Sequence, residues 1–341
     1  MLAFFIYSEH LILESITHMS GEFSLIDKYF AHQQQQRKDV ILAQGDDCAI
    51  VAPAQNSHIA ISTDMLVSGT HFLADANPAH IAHKALASNI SDLAAMGASP
   101  AWVSMGIALP NVDDAWLEVF TTTFFKLADY YGIQLIGGDT TKGPLSITLT
   151  VQGTLPEGKG LTRSGAKVGD WIYVTGTLGD AKAGLDVILQ QRMSDDVALN
   201  EHLVEQHFIS TPRVLSGMAL RDIASSAIDI SDGLVSDLGH ILARSDVGAR
   251  IDVAELPISP ALTAFLQQED ERQYYALTSG EEYELCFTVP ETNRGQLEVA
   301  LSNTPFRCIG RITGTRDLEL HRNNIPLDWN VSGFDHFKVT V

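Results

Sequence analysis

The chain has 341 residues, 45% of them hydrophobic, and a mean hydropathy near zero, which describes a globular protein with room for two cores rather than a disordered one. Its 22 Lys and Arg stand against 42 Asp and Glu, a net charge of −20, which argues against a broad basic face tracking a nucleic-acid backbone. The three cysteines, without CxxC spacing, argue against a disulfide framework or a zinc site and fit a reducing cytoplasm.

Residues 1–18 are apolar only in patches, carry Glu9 and Glu14, and lack the basic start and small-residue cleavage site of a signal peptide. Their apolar stretch is much shorter than the ~20 residues that cross a bilayer, so they read as an extension outside the fold, with Met19 an alternative start. From Gly21 to Phe30 the apolar spacing predicts a short amphipathic helix, followed by a link of four glutamines and a strand near Val40–Leu42. The alternation over His58–Ser62 predicts a strand that delivers Thr63 and Asp64 at its end. Asn77 and Pro78 start a helix that Gly97 stops, with Ala82, Ala85, Leu86, Leu93 and Met96 on its apolar stripe. Lys84, Ser88 and Asp92 share a neighbouring face, which for this helix alone reads as solvated.

A second helix, about Asp113–Tyr131, closes at Gly132; its aromatics have core spacing. Ile133–Ile136 then reads as a buried strand ending in a Gly137-Gly138-Asp139-Thr140-Thr141 loop, and Leu145–Val151 as the next strand. The texture changes to Gly, Lys, Thr and Ser over residues 157–169, which divides the chain into an N-terminal domain (19–160) and a C-terminal one (161–341). In the second, strands at Trp171–Val174 and Ala227–Ile230 each run into a turn and a helix, so both halves carry α/β or α+β layering.

Five acidic clusters beside Gly, Ser or Thr run through this framework: Gly45-Asp46-Asp47, Ser62-Thr63-Asp64, Ser91-Asp92, Gly138-Asp139 and Asp229-Ile230-Ser231-Asp232. Each alone reads as a turn, a cap or a surface face. Together they offer carboxylate and hydroxyl oxygens, hard donors that suit Mg²⁺ and the phosphates it grips. The adjacent pair Asp46 and Asp47 makes sense as one metal ligand and one loop-orienting group. No Walker A loop, GxSxG elbow, HExxH helix or CxxC pair competes, and phosphoryl transfer asks little beyond positioning and charge neutralisation. Arg163, in the Leu161–Gly165 turn, is the best basic candidate for touching phosphate.

These residues closely resemble the thiamine-monophosphate kinase family, part of the superfamily that includes aminoimidazole ribonucleotide synthetase and selenophosphate synthetase. The resemblance runs from Gly21 to Phe337 and is carried by GEFSLI, GDDCA, STDMLVSGTHF, KALASNISDLAAMGA, LIGGDTT, LTRSGAKVGD, AIDISDGLVSDLGH, SGEEYEL and GFDHF. It implies a two-domain α/β (α+β) fold with mixed sheets and helices packed on one face. The implied reaction is ATP-dependent phosphorylation of thiamine monophosphate by direct in-line transfer, in a cytoplasmic homodimer. It also implies several Mg²⁺ ions held by Asp47, Ser62, Thr63, Asp64, Asp92, Asp139, Asp229 and Asp232. ATP would meet Gly138, Asp139, Arg163 and Ser231, substrate would meet His71, Glu281 and Phe334, and Asp64, Asp139 and Arg163 would carry catalysis. The chain departs from the family pattern at Ser279 and Glu282, which leaves the substrate contact between Glu281 and Glu282, and at Ala43 and Gln44. Competing readings are another ATP-dependent synthetase of the superfamily, against which Cys48 lies on the wrong side of the acidic loop for a selenophosphate synthetase, and a non-catalytic nucleotide or metal sensor.

Overall fold

The computed structural model describes residues 22–329 together with Val331 and Gly333, so the extension over residues 1–18 and the expected contact at Phe334 lie outside the described residues. Helix α1 (Glu22–Tyr29) leads into a short antiparallel pair, β1 (Val40–Leu42) and β2 (Ile50–Val51). Next come β3 (Ser57–Val67), α2 (Pro78–Ala95), β4 (Ser99–Leu109), α3 (Asp114–Tyr131), β5 (Gln134–Lys142) and β6 (Ser146–Pro156). Their strands form a four-stranded sheet in the order β3-β6-β4-β5, antiparallel except for the parallel β4–β5 pair.

The second half opens with β7 (Trp171–Thr175), α4 (Asp180–Ile188), α5 (Val197–Phe208), α6 (Val214–Leu220), β8 (Ser226–Asp229) and α7 (Leu234–Ser245). It continues with β9 (Gly248–Asp252), α8 (Pro260–Phe265), α9 (Glu269–Thr278), β10 (Leu285–Val289), α10 (Leu297–Ala300), β11 (Phe306–Thr313), β12 (Leu318–Arg322) and β13 (Ile325–Pro326). These strands make a mixed seven-stranded sheet, β13-β12-β9-β11-β7-β10-β8, whose one parallel pair is β9–β12.

The helices begin and end where their chemistry dictates. Asn77 accepts a hydrogen bond from the Ala79 amide at the start of α2, with Pro78 in the first turn, and Asp113 does the same for the Ala115 and Trp116 amides of α3. Gly97 and Gly132, both at φ 66°, turn the chain away after them.

The alternation of β7 and β10 shows where the cores lie. Tyr173, Leu285 and Phe287 point into a core shared with Ile81, Leu86, Ile90, Phe120 and Phe124 of α2 and α3, so α2 is packed between the two sheets. Ile172, Val174 and Cys286 point the other way, into a second core with Leu238 and Ile241 of α7. Burial on both faces explains why every residue of β10 is buried.

Three expectations are corrected here. Strand β3 does not end at Ser62: it continues to Val67, and Ser62, Thr63 and Asp64 pair in mid-strand with Val151, Thr150 and Leu149 of β6. The Gly137–Thr141 segment is not a loop but part of β5, paired with Ser104–Ala108 of β4. Lys84 and Ser88 are not on a solvated face; they are 2% and 4% exposed, because the second sheet and α5 cover the side of α2 that one apolar stripe leaves open. The glutamine link is also ordered by side chains: Gln33 donates to the Ile133 carbonyl at 2.6 Å and accepts from the Leu135 amide at 2.8 Å, tying it to the start of β5.

Candidate active site

Strand pleating splits the Ser62-Thr63-Asp64 triplet. Side chains alternate across a strand, so Ser62 and Asp64 face α2 while Thr63 faces away and shares a 2.9 Å hydroxyl contact with Thr150. On the α2 side, the Ser62 hydroxyl donates to Asp92 at 2.5 Å, and the Asp64 amide donates to the Asn89 side chain at 3.2 Å. One residue before Asp92, Ser91 donates to Asp229 at the end of β8 at 2.7 Å. Two successive residues of α2, Ser91 as donor and Asp92 as acceptor, thus bring β3 and β8, from opposite halves of the chain, to one place.

Beyond β8 the Ser231-Asp232-Gly233 turn is organised by a residue the sequence reading passed over. Asp237, in the first turn of α7, accepts the amides of Ser231 and Asp232 at 3.0 Å each and of Gly233 at 3.1 Å. Its position four residues after the glycine, just inside a helix, was the available signal. The loop between α9 and β10 lies against this turn: the Glu281 amide donates to the Ser231 carbonyl at 2.8 Å, and a Cβ on Gly280 would stand 2.6 Å from that oxygen. Glu281 and Tyr283 both hold left-handed φ angles, 63° and 54°, which cost on the order of 1 kcal/mol or more each for residues with a side chain.

The same loop separates Glu281 from Glu282. Glu281 faces the site, with one oxygen accepting the Tyr283 hydroxyl at 2.6 Å and the other 3.1 Å from the Lys84 ammonium. Glu282 turns to the start of α4 and accepts the Gly179 amide at 2.7 Å and the Ala181 amide at 3.4 Å, a capping role. His71 lies in the connection after β3; its Nδ1 accepts from the Val67 amide at 3.0 Å, which makes Nε2 the protonated nitrogen.

Charge at this wall is crowded. Burial pushes the Asp64 carboxyl up to about 6, and the carboxylates of Asp92, Glu281 and Asp232 push in the same direction. Asp92 and Asp229 are raised together, by burial first; Asp92 also raises Asp229, while the Ser62 hydroxyl and the Arg163 guanidinium moderate Asp92 and the Ser91 hydroxyl moderates Asp229. Ser62, Asp92, Asp229, Arg163 and Arg244 line a cleft of about 480 Å³. Arg163 reaches it from a turn bonded to the rest of the fold at Thr162, whose carbonyl accepts from the Ala227 amide at 3.0 Å.

The remaining clusters line a separate, larger cavity of about 790 Å³, which brings Asp46 and Asp47 beside Gly137, Gly138 and Asp139. Here Asp46 accepts the Asp47 amide at 3.0 Å, orienting the loop and leaving Asp47 as the ligand candidate of the pair. Gly138 is required by packing: a Cβ there would stand 1.8 Å from the Met105 carbonyl of β4.

Among the described residues no group of three or more His, Cys, Asp or Glu side chains is gathered to hold a metal ion alone. The donors nevertheless fit Mg²⁺, which keeps several waters and takes one or two carboxylates plus substrate phosphates rather than an all-protein cage. The crowding of buried carboxyls at Asp64, Asp92 and Asp229, only partly offset by serine hydroxyls and Arg163, is what a bound cation would relieve. No helix among the described residues is long and apolar enough to cross a membrane.

Known proteins resemble this chain over most of its length. The models of the AIR synthase related protein N-terminal and C-terminal domains match residues 45–155 and 167–323. The thiamine-monophosphate kinase of Escherichia coli (strain K12) is 54% identical over 322 residues, 93% of this chain and 98% of that one. The crystal structure of thiamine-monophosphate kinase from Stenotrophomonas maltophilia K279a superposes with a TM-score of 0.81 at 42% identity, covering 88% of this chain and 96% of that chain. A further structure, AaThiL complexed with AMPPCP and TMP, has a TM-score of 0.74 at 28% identity and covers 93% of this chain and 97% of that chain. With identity this high over nearly the whole length, the chain is a kinase that belongs to the thiamine-monophosphate kinase family.

Proposed function

We propose that this kinase transfers the γ-phosphoryl group of ATP to thiamine monophosphate, giving thiamine diphosphate by direct in-line attack. The observation that carries the reading is the meeting of Asp64, Asp92, Asp229 and Glu281, from both halves of the chain, at a wall too crowded with negative charge to be complete alone. A protein whose task is to join two anions needs such a wall to gather cations. The relative solved with AMPPCP and TMP supports the choice of the two ligands.

In this reading Asp47, Asp64, Asp92, Asp139, Asp229 and Asp232 hold the cations, with Ser62 supporting Asp92. Thr63 takes part through its backbone carbonyl, since its hydroxyl is on the other face of β3. Bound Mg²⁺ supplies charge neutralisation and alignment of the phosphates. Gly138, Asp139, Arg163 and Ser231 meet ATP, and Arg163 offsets charge on the transferred group. His71 offers its Nε2–H to the substrate phosphate, and Glu281 pairs with an amino group on the acceptor's heterocycle. The attacking phosphate has a second pKa of ~6 and is largely a dianion at neutral pH, so no protein base has to deprotonate it.

The dimer expected from the family is supported by β3, whose outer face exposes Ile59, Ile61 and Met65 at alternate positions of one strand. The deciding experiment incubates purified protein with Mg²⁺, ATP and thiamine monophosphate and follows thiamine diphosphate. Formation of ADP and thiamine diphosphate in equal amounts is expected; bound ATP without product would instead mark a nucleotide sensor.

A further inference from the structure

We propose that Lys84 is a positioning residue that holds the two substrate-facing groups, His71 and Glu281, in register, with His207 as the acceptor that locks it in place. This rests on the reading above that thiamine monophosphate is the acceptor. Lys84 lies on α2, two turns before Asp92, and only 2% of its side chain is exposed. An ammonium has three donors and no acceptor, and all three are used here. They go to Glu281 Oε1, the His71 carbonyl oxygen and His207 Nε2, each at 3.1 Å.

The last contact is possible only because of how His207 is held. Its Nδ1 lies 3.1 Å from the Ala181 carbonyl, which fixes the proton on that nitrogen and turns the Nε2 lone pair toward Lys84. Burial, and then the Lys84 charge itself, push the imidazole down to about 4, so the ring stays an acceptor at neutral pH. Glu281 is held low: burial opposes its ionisation, but the Lys84 charge and then the Tyr283 hydroxyl outweigh it. Both oxygens of Glu281 are thereby pinned, one by Lys84 and one by Tyr283.

One ammonium therefore ties together the connection after β3, the α9–β10 loop, α5 and, through His207, the start of α4. A buried ion pair alone is weak evidence for a stabilising role, because apolar replacements are often neutral or better. What a pair of similar volume and no charge cannot do is aim a carboxylate. The two groups that Lys84 aims come from opposite halves of the chain, and Glu281 sits on a backbone at φ 63° that needs outside contacts to persist.

The test is steady-state kinetics of the full chain with Mg²⁺, each substrate varied in turn, on Lys84→Met, His207→Leu and His207→Gln. The first two are expected to raise KM for thiamine monophosphate about 10-fold or more while KM for ATP stays within about twofold. His207→Gln, whose amide can accept from Lys84 and donate to the Ala181 carbonyl, is expected to return KM to within about threefold of the parent. If Lys84→Met does not fold, the two His207 variants decide. An unchanged KM for thiamine monophosphate in His207→Leu, equal losses on both substrates, or no difference between the Leu and Gln variants overturns the assignment. A parent protein that makes no thiamine diphosphate removes the functional reading itself, whereas an active parent with unaffected variants removes only the role of Lys84.

Discussion

The wall built by β3, α2 and β8 and the wall built by the Asp46–Asp47 loop and Asp139 are equally rich in carboxylates, yet their physics differs. On the first, Asp92 and Asp229 are engaged by serine hydroxyls; burial raises both of them and Asp64, and the Asp92 carboxylate pushes Asp229 and Asp64 further the same way. On the second, Asp46, Asp47 and Asp139 are exposed, and water and salt screen them from one another. Burial, more than acidity, decides which carboxylates lack compensation. In the proposed reading, the inner wall attracts a cation before any ligand arrives. The outer wall gains a reason to bind one only when phosphates enter its cavity.

The largest expected effect tests the inner wall directly. Asp64→Asn keeps the shape and removes a charge, so kcat should fall on the order of 10²-fold or more, as loss of charge stabilisation in the transition state does. The melting temperature of the cation-free protein should hold or rise, since repulsion has been removed. Asp46→Asn, at the outer wall, should change kcat by no more than a few-fold, because an amide oxygen can still accept from the Asp47 amide. Similar losses in both variants would erase the distinction between the walls.

Next in size is the contrast between neighbours in the α9–β10 loop. Glu281→Gln should raise KM for thiamine monophosphate by roughly 10-fold or more, through loss of a charge-assisted contact. Glu282→Gln should leave both KM values nearly unchanged, because its oxygen can still cap α4. Assays that reversed this order would move the substrate contact to Glu282.

A smaller effect, seen in stability, follows from linkage. The folded carboxyl of Asp64 titrates near 6, above its ordinary 3.8, so between those values the folded chain binds more protons than the unfolded one. Stability of the cation-free protein should therefore fall as pH rises from about 4 through about 6, and Asp229, raised to about 8, extends the loss upward. Mg²⁺ that binds the ionised wall should restore it, raising the melting temperature by a few degrees at pH 8 and by less at pH 5. A shift as large at pH 5 as at pH 8 would dissociate cation binding from these carboxylates.

Much of this was legible in the chain because the signals were local. Asn77-Pro78 and Gly97 mark the ends of α2, Asp113 and Gly132 those of α3, and caps act within a turn. Strand ends were misread where the partner decides them: Thr63 and Asp64 remain in β3, and Gly137–Thr141 in β5, because β6 and β4 supply the ladder. Lys84 was misread for a related reason. A helix with one apolar stripe looks half solvated, and nothing local announces that a second sheet and His207 close over its other side. Glu281 and Glu282 differ only through left-handed backbone angles that no propensity foretells.

The smallest expected effect is the sharpest test of which face of β3 belongs to the site. Thr63→Val keeps a β-branched side chain in the strand and removes only the hydroxyl shared with Thr150, so activity should stay within about twofold and stability within about 0.5 kcal/mol. Ser62→Ala, one residue earlier and equally small, removes the donor that moderates the Asp92 carboxyl and should lower kcat about 10-fold. The two changes are adjacent in sequence and opposite in direction from the strand, so packing losses cannot explain a difference between them. Equal losses would mean that the outer face of β3, with its exposed Ile61 and Met65, also takes part in the reaction, and a single inward-facing wall would no longer suffice.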